Sequence, residues 1–364
     1  PSSVHWEGRR ARAVVEEARA EVALLVGAKP SEVVFTSGAS ESNATVLAAG
    51  FETIVAAPVE HPSVSAPATG RRISLACDAD GRVAIEMVAD LVLKAGGVDP
   101  ARTLVTLQIA NGETGVLQPV EALAAFCRDH GVHFHTDATQ AVGRIPVDFR
   151  SMGAATMALA AHKLGGPKGV GALIVRDGIE LRPLVGGGGQ ERRRRAGTEN
   201  VAGIAGFGAA ARAARVELGA GIMEGVRLAR DRIESQLRAI TPDLQVIGAR
   251  SPRLPNTTCV ALAGHRAETL VIRLDLAGVG VSAGSACSSG KVAASAVLAA
   301  MGLAPDVAGG AIRISVGPRT SDSDVERLVR AWRSIHGADA GASGRRDTMS
   351  ADGITARPVA MGEK

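Results

Sequence analysis

The 364-residue chain lacks any close pair of cysteines: Cys77, Cys127, Cys259 and Cys287 stand far apart. Without C-x-x-C spacing there is no zinc-site or disulfide pattern, so no metal is expected. Scattered single cysteines suit a reducing, cytoplasmic setting. No apolar run approaches the roughly 20 residues of a membrane span, so no membrane partner is expected. Charge of one sign is also missing. The 41 basic and 37 acidic residues leave a net charge of +4, too mild to argue for direct contact with nucleic acid. The one dense basic run, Arg192, Arg193, Arg194 and Arg195, has the composition of a solvated loop. No secretory pattern opens the chain. Residue 1 is a proline, so the start is read as missing or processed.

Hydrophobic residues make up 46% of the chain and charged residues 21%, enough for a substantial core. The length suits one large domain and a smaller one. Val14, Val15, Ala18, Val22 and Leu25 recur at helical spacing, and Gly27 stops the run. Predicted strands follow at residues 33–36, 53–57, 71–75, 103–109, 132–136, 155–159 and 171–175. Predicted helices lie at 41–49, 86–95 and 120–129. Strands separated by helices imply a mostly parallel sheet covered on both faces. Ligands of such sheets sit outside the carboxyl ends of the strands. After residue 219 the pattern predicts a helix at 222–240, strands near 257–261 and 311–316, and further helices. The expected division is 1–218 as a large α/β domain, 219–336 as a smaller C-terminal α/β domain, and 337–364 as a structureless tail.

Five segments carry candidate chemistry. Ser37-Gly38-Ala39-Ser40 lies between a strand and a helix start, where free N–H groups and the helix dipole attract an anion. Lys163 follows an apolar strand and precedes a glycine-rich turn, and a partly desolvated lysine there forms a Schiff base readily. Asp137 ends a strand, and His61 follows another, just before Pro62. Cys287 sits in Ala283-Gly284-Ser285-Ala286-Cys287-Ser288-Ser289-Gly290-Lys291, where small and polar neighbours leave a thiol exposed beside a lysine.

In this order, "VFTSGASES", "EHPSV", "ANGETGVLQPV", "HTDATQAVGRIPVD", "AAHKLGGPKGVGAL", "GGGGQERRRRAGTEN", "SAGSACSSGK" and "AIRISVG" resemble the cysteine desulfurases. The resemblance runs from Val4 to about residue 319. These are pyridoxal 5'-phosphate (PLP) enzymes of fold-type I, aspartate aminotransferase-like, in the class V aminotransferase family. The cysteine segment is similar to the group that includes the nitrogen-fixation and iron–sulfur enzymes. The resemblance implies conversion of L-cysteine to L-alanine, with the sulfur passing to Cys287 as a persulfide. It makes Lys163 the Schiff-base lysine and pairs Asp137 with the pyridine nitrogen. His61 stacks on the ring and Gln140 bonds its hydroxyl. Ala39, Ser40 and His162 hold the phosphate, and Thr198 reaches the phosphate of a partner subunit, implying a homodimer. Arg313 clamps the substrate carboxylate, with Asn111 beside the substrate. The implied acceptor is an iron–sulfur scaffold or another sulfur-accepting protein.

The chain departs from the pattern in three places besides an Arg192 to Arg195 run longer than the family's usual one. Gly112 replaces a second asparagine, and Ala160 replaces a serine that contributes a phosphate hydroxyl, a loss of about 1 kcal/mol. An opening "NATTP"-like segment of about thirty residues is absent, and its loss is expected to weaken closure of the site. Within the fold, a transaminase or a selenocysteine lyase are the alternatives, and Cys287 disfavours the first. A weakened binding protein of the sulfur pathway is the alternative of another class.

Overall fold

The computed structural model describes residues 1–65, 70–93, 98–284 and 295–342. Cys287 and the end of the expected tail lie outside the described residues.

Helix α1 (Trp6–Leu25) opens the fold. His5 caps it by accepting the Gly8 N–H at 3.2 Å, and Gly27, at φ +63°, turns the chain away. There follow β1 (Val33–Thr36), α2 (Ala39–Leu47), β2 (Thr53–Ala56), α3 (Pro62–Ser65), β3 (Arg71–Ser74) and α4 (Ile85–Leu93). Then come β4 (Thr103–Thr106), α5 (Val120–Asp129), β5 (His133–Asp137), α6 (Phe149–Met152), β6 (Thr156–Ala160) and β7 (Gly171–Val175). These strands form one sheet in the order β1-β7-β6-β5-β4-β2-β3. All neighbours from β6 to β3 are parallel, and β7 runs antiparallel to both β6 and β1. Every residue of β2, β4 and β6 is buried, which explains their unbroken apolar or small composition.

The helix at 41–49 actually begins at Ala39. The sequence reading contained no helix between residues 176 and 219, yet α7 (Val201–Gly219) runs there, packed along α1. Its small residues blur the periodicity but allow the close approach: a Cβ at Gly208 would fall 2.6 Å from the Ala18 Cα.

The rest of the chain supplies α8 (Ile222–Ile240), β8 (Gln245–Val246), β9 (Thr257–Ala261), α9 (Ala267–Leu276) and β10 (Ser282–Ala283). It ends with α10 (Ala296–Ala300), α11 (Pro305–Ala308), β11 (Ala311–Ser315) and α12 (Asp322–Ala342). The second sheet, ordered β10-β11-β9-β8, is antiparallel throughout. Helices α8, α9 and α12 bury Leu237, Leu274 and Trp332 in a core of its own with Val260 and Ile312. Trp332 satisfies its indole N–H on the Thr241 hydroxyl at 3.0 Å. The predicted start of a tail at 337 falls inside α12, which continues to Ala342.

Candidate functional site

The carboxyl ends of the parallel strands hold a connected set of buried polar groups. Asp137, the last residue of β5, is buried. Its Oδ1 accepts the Thr139 N–H at 2.9 Å and its Oδ2 accepts Asn43 Nδ2 at 2.8 Å. Asn43, fully buried on α2, also donates to Ser63 Oγ at 2.9 Å, and its Oδ1 meets His135 Nε2 at 3.0 Å. The other ring nitrogen of His135 lies 2.8 Å from Thr156 Oγ1. Burial pushes His135 down to about 4, against a smaller upward pull from Asp137, so its ring is neutral.

His61 lies exposed at the start of α3. Ser63 offers its Nδ1 a hydroxyl at 2.8 Å and a backbone N–H at 3.1 Å. An Nδ1 that accepts leaves the ring proton on Nε2. A chain of hydrogen bonds therefore runs from His61 through Ser63 and Asn43 to Asp137.

Lys163 sits in a 3-10 turn, Ala161–Leu164, directly after β6. Strands β5 and β6 are parallel neighbours, with Asp137 in register with Ala158, so the lysine turn and the carboxylate share one edge of the sheet. Arg144 ties this edge together, donating to the carbonyls of Gln140 at 2.6 Å and of Lys163 at 2.7 Å. Burial, and then the charge of Arg313, lower Arg144 to about 10. Lys163 and Arg144 line a cleft of about 820 Å³ that extends between α7 and the elements of the second sheet.

The N-terminus of α2 comes to the same edge because Gly171 admits it. A Cβ at Gly171 would lie 2.7 Å from the Gly38 Cα and 2.5 Å from the Leu159 carbonyl. The first bond of the helix runs from the Ser42 N–H to the Gly38 carbonyl. The N–H groups of Ala39, Ser40 and Glu41 therefore have no partner inside the helix. Glu41 in that turn is held by Arg195 at 2.9 Å. Its burial opposes ionisation, but hydrogen bonds from Arg195 and Ser37 prevail and keep it below the ordinary carboxylate value. Exposed His162 is lowered by burial and by Lys163 and Lys168.

Arg313 on β11 donates to the Gly112 carbonyl at 2.9 Å and reaches Ser282 Oγ at 3.4 Å. Asn111 is largely committed to its own loop. Its Oδ1 accepts the Glu113 and Thr114 N–H groups, both at 2.9 Å, and its Nδ2 donates to the Val59 carbonyl at 3.0 Å. A Cβ at Gly112 would lie 3.0 Å from Gln140 Nε2, so Gln140 packs against the space an asparagine side chain would claim.

Residues 1–328 match the class-V aminotransferase family. The chain belongs to the class-V aminotransferase family. It is 41% identical over 351 residues to a cysteine desulfurase of Cereibacter sphaeroides, covering 92% of this chain and 88% of that one. It is 37% identical to the cysteine desulfurase IscS of Dictyoglomus turgidum over the same shares. Among solved structures it resembles a NifS-like protein from Rickettsia africae, with a TM-score of 0.84, 30% identity and coverage of 93% of this chain and 91% of that one.

The strand-end groups fit the PLP of this family. They supply an amine, a carboxylate with both oxygens already oriented, and open helical N–H groups suited to a phosphate. The buried Thr139 Oγ1 has no partner among the described residues and is available to a ligand. Thr198 is exposed on the loop before α7. The basic run in that loop is less solvated than its composition suggests. Arg192 donates to the Ser31 carbonyl at 2.9 Å, Arg194 also bonds that carbonyl, and Arg195 holds Glu41. Sequence reasoning assigned no role to Asn43, His135 or Arg144. His135 and Arg144 stood inside a quoted motif and Asn43 directly after one, but nothing in a motif reveals which side chains meet.

Proposed function

We propose that this class-V chain is a PLP-dependent cysteine desulfurase that converts L-cysteine to L-alanine and passes the sulfur to Cys287. The observation that carries the reading is the meeting, at one sheet edge, of the Lys163 turn, Asp137 and the open N-terminus of α2. The identity to cysteine desulfurases over 92% of the chain supports it.

In this reading Lys163 would carry the coenzyme, Asp137 would pair with its ring nitrogen, His61 would serve its ring and Gln140 its hydroxyl. Ala39, Ser40 and His162 hold the phosphate. When bound, PLP withdraws electrons from the substrate Cα. Arg313 binds the substrate carboxylate with a bidentate fork, one of its five N–H donors resting on the Gly112 carbonyl. Asn111 has one Nδ2 hydrogen left for the substrate. The Lys163 amine moves the Cα proton. The Cys287 thiolate attacks the substrate sulfur: the new S–S bond forms, the Cβ–S bond breaks, and its electron pair stays with carbon, which is protonated as alanine forms. Exposed Thr198 belongs to the phosphate site of a second copy in a homodimer. The persulfide sulfur then goes to an iron–sulfur scaffold or another protein thiol.

The test is alanine and sulfide production from L-cysteine by the purified chain with PLP. Cys287→Ala is expected to abolish sulfide release while keeping the visible absorption of the bound coenzyme, and Lys163→Ala to lose that absorption. Unchanged sulfide release from Cys287→Ala would overturn the reading.

A further inference from the structure

Glu60 lies between Val59 and His61, buried with 4% exposure at the carboxyl ends of β2 and β4. Its backbone is pinned, because the Val59 carbonyl accepts from the side-chain amides of both Gln108 and Asn111. Its Oε1 accepts one bond, from the Gln108 N–H at 2.8 Å. Its Oε2 is buried and has no partner among the described residues. An ionised carboxylate in such a place is costly, since it offers several acceptor sites and one of its oxygens finds no donor among the described residues.

The neighbouring charge makes ionisation costlier still. Burial and then the charge of Asp137 raise Glu60 to about 8, while the backbone N–H groups of Gln108 and His61 pull weakly the other way. Among the described residues, Asp137 and His135 on β5 and His61 on its own connection are titratable groups near it in the fold. Of these only Asp137 adds a charge–charge effect. Asp137, by contrast, has a donor on each oxygen. Two carboxyls share one crevice, and hydrogen bonding selects which one carries the charge.

We propose that Glu60 is a positioning residue of this site: a carboxylic acid held in its protonated form, so that Asp137 stands as the only anion facing the coenzyme ring. The proposal rests on the assignment of Asp137 to the ring nitrogen. Loss of the Glu60 proton would put a second negative charge beside Asp137 and change the charge state of the bound ring. Moderately alkaline solution would then alter the site through a residue that touches neither substrate nor coenzyme.

Infrared difference spectroscopy of the coenzyme-free protein tests the first half. The wild type should show the carbonyl stretch of a protonated carboxylic acid that disappears with a midpoint of about 8. Glu60→Gln should lack it, and Asp137→Asn should move the midpoint down toward the value that burial alone sets. Absence of such a band in the wild type, its persistence in Glu60→Gln, or an unmoved midpoint in Asp137→Asn would each overturn the proposal. The visible absorption of the PLP-loaded protein tests the second half. The wild type should show a spectral step at the infrared midpoint that Glu60→Gln lacks, and an equal step in both would overturn it. A chain that binds no PLP would defeat the functional reading yet leave the infrared result standing, so the two failures are distinguishable.

Discussion

Two regions bury charge in opposite ways. In the loop before α7, Glu191 is buried with both carboxylate oxygens bonded, although Glu199 Oε2 in the same loop is buried without a partner among the described residues. Glu191 pairs with buried Arg19 at 2.7 and 3.0 Å and accepts the Phe35 N–H at 3.0 Å. Arg19 also donates to the Val33 carbonyl at 2.9 Å and lies over the Phe35 ring. At the strand ends the accounting is incomplete: Glu60 Oε2, Thr106 Oγ1 and Thr139 Oγ1 are buried without partners among the described residues. A satisfied ion pair fixes backbone. Buried polar atoms left open mark the place where a ligand or a proton completes the set.

Breaking the loop pair gives the largest expected effect. Arg19→Met leaves the Glu191 carboxylate buried and unpaired, so unfolding in urea should show a loss of about 3–5 kcal/mol. Arg19→Met with Glu191→Gln removes the stranded charge and should recover much of that loss. If the single change costs no more than an exposed pair would, about 1 kcal/mol or less, the contrast between the regions fails.

The strand ends should respond instead to pH. His135 titrates at about 4 in the folded chain against an ordinary 6.5. Between those values the unfolded chain binds more protons, so stability falls as pH drops from 6.5 toward 4. The shift corresponds to a loss on the order of 3 kcal/mol. His135→Gln should flatten this limb in urea titrations. An unchanged slope would mean that the ring is not the group responsible.

The division of labour explains what could be read in advance. The strands were visible because burial on both faces makes them apolar or small throughout, as in β6 and β7. Lys163 stood out because it follows such a strand, and Asp137 because it ends a strand of the sheet. Helix α7 was hidden because Gly203, Gly206, Gly208 and its alanines serve close packing and blur the periodicity. Arg144, Asn43 and Glu60 were hidden for another reason. Their roles depend on contacts between segments distant in the chain, such as Asn43 with Asp137 and Glu60 with Gln108. The arginine run looked like a solvated loop because composition does not reveal that Ser31 and Glu41 lie within its reach.

Gly112→Asn probes the meeting of the strand ends with the second domain. The backbone of Gly112 is not in the left-handed region, and the crowding atom belongs to the flexible Gln140 side chain. An added amide should therefore fit with a shift of Gln140 and provide a donor beside Arg313. The expected result is a lower KM for cysteine, by severalfold if the new bond is worth about 1 kcal/mol. A higher KM would show that displacing Gln140 costs more than the donor gains.

The smallest effect returns to the loop. Glu191, Arg192 and Arg193 take φ values of 45°, 57° and 66°, three consecutive side-chain-bearing residues in the left-handed region. Each such residue is strained by about 1–2 kcal/mol. Glu191 is held there by Arg19 and Phe35, and Arg192 by its bonds to the Pro30 and Ser31 carbonyls. Arg193 is exposed and carries the same strain. Arg193→Gly should relieve it, partly offset by the greater freedom of glycine in the unfolded chain, and raise stability by about 1 kcal/mol or less. Thermal unfolding would show a small rise in Tm, with the Arg19–Glu191 anchor intact. A fall in Tm would mean that the Arg193 side chain contributes more than its backbone costs, and that even the exposed part of this loop is held by its arginines.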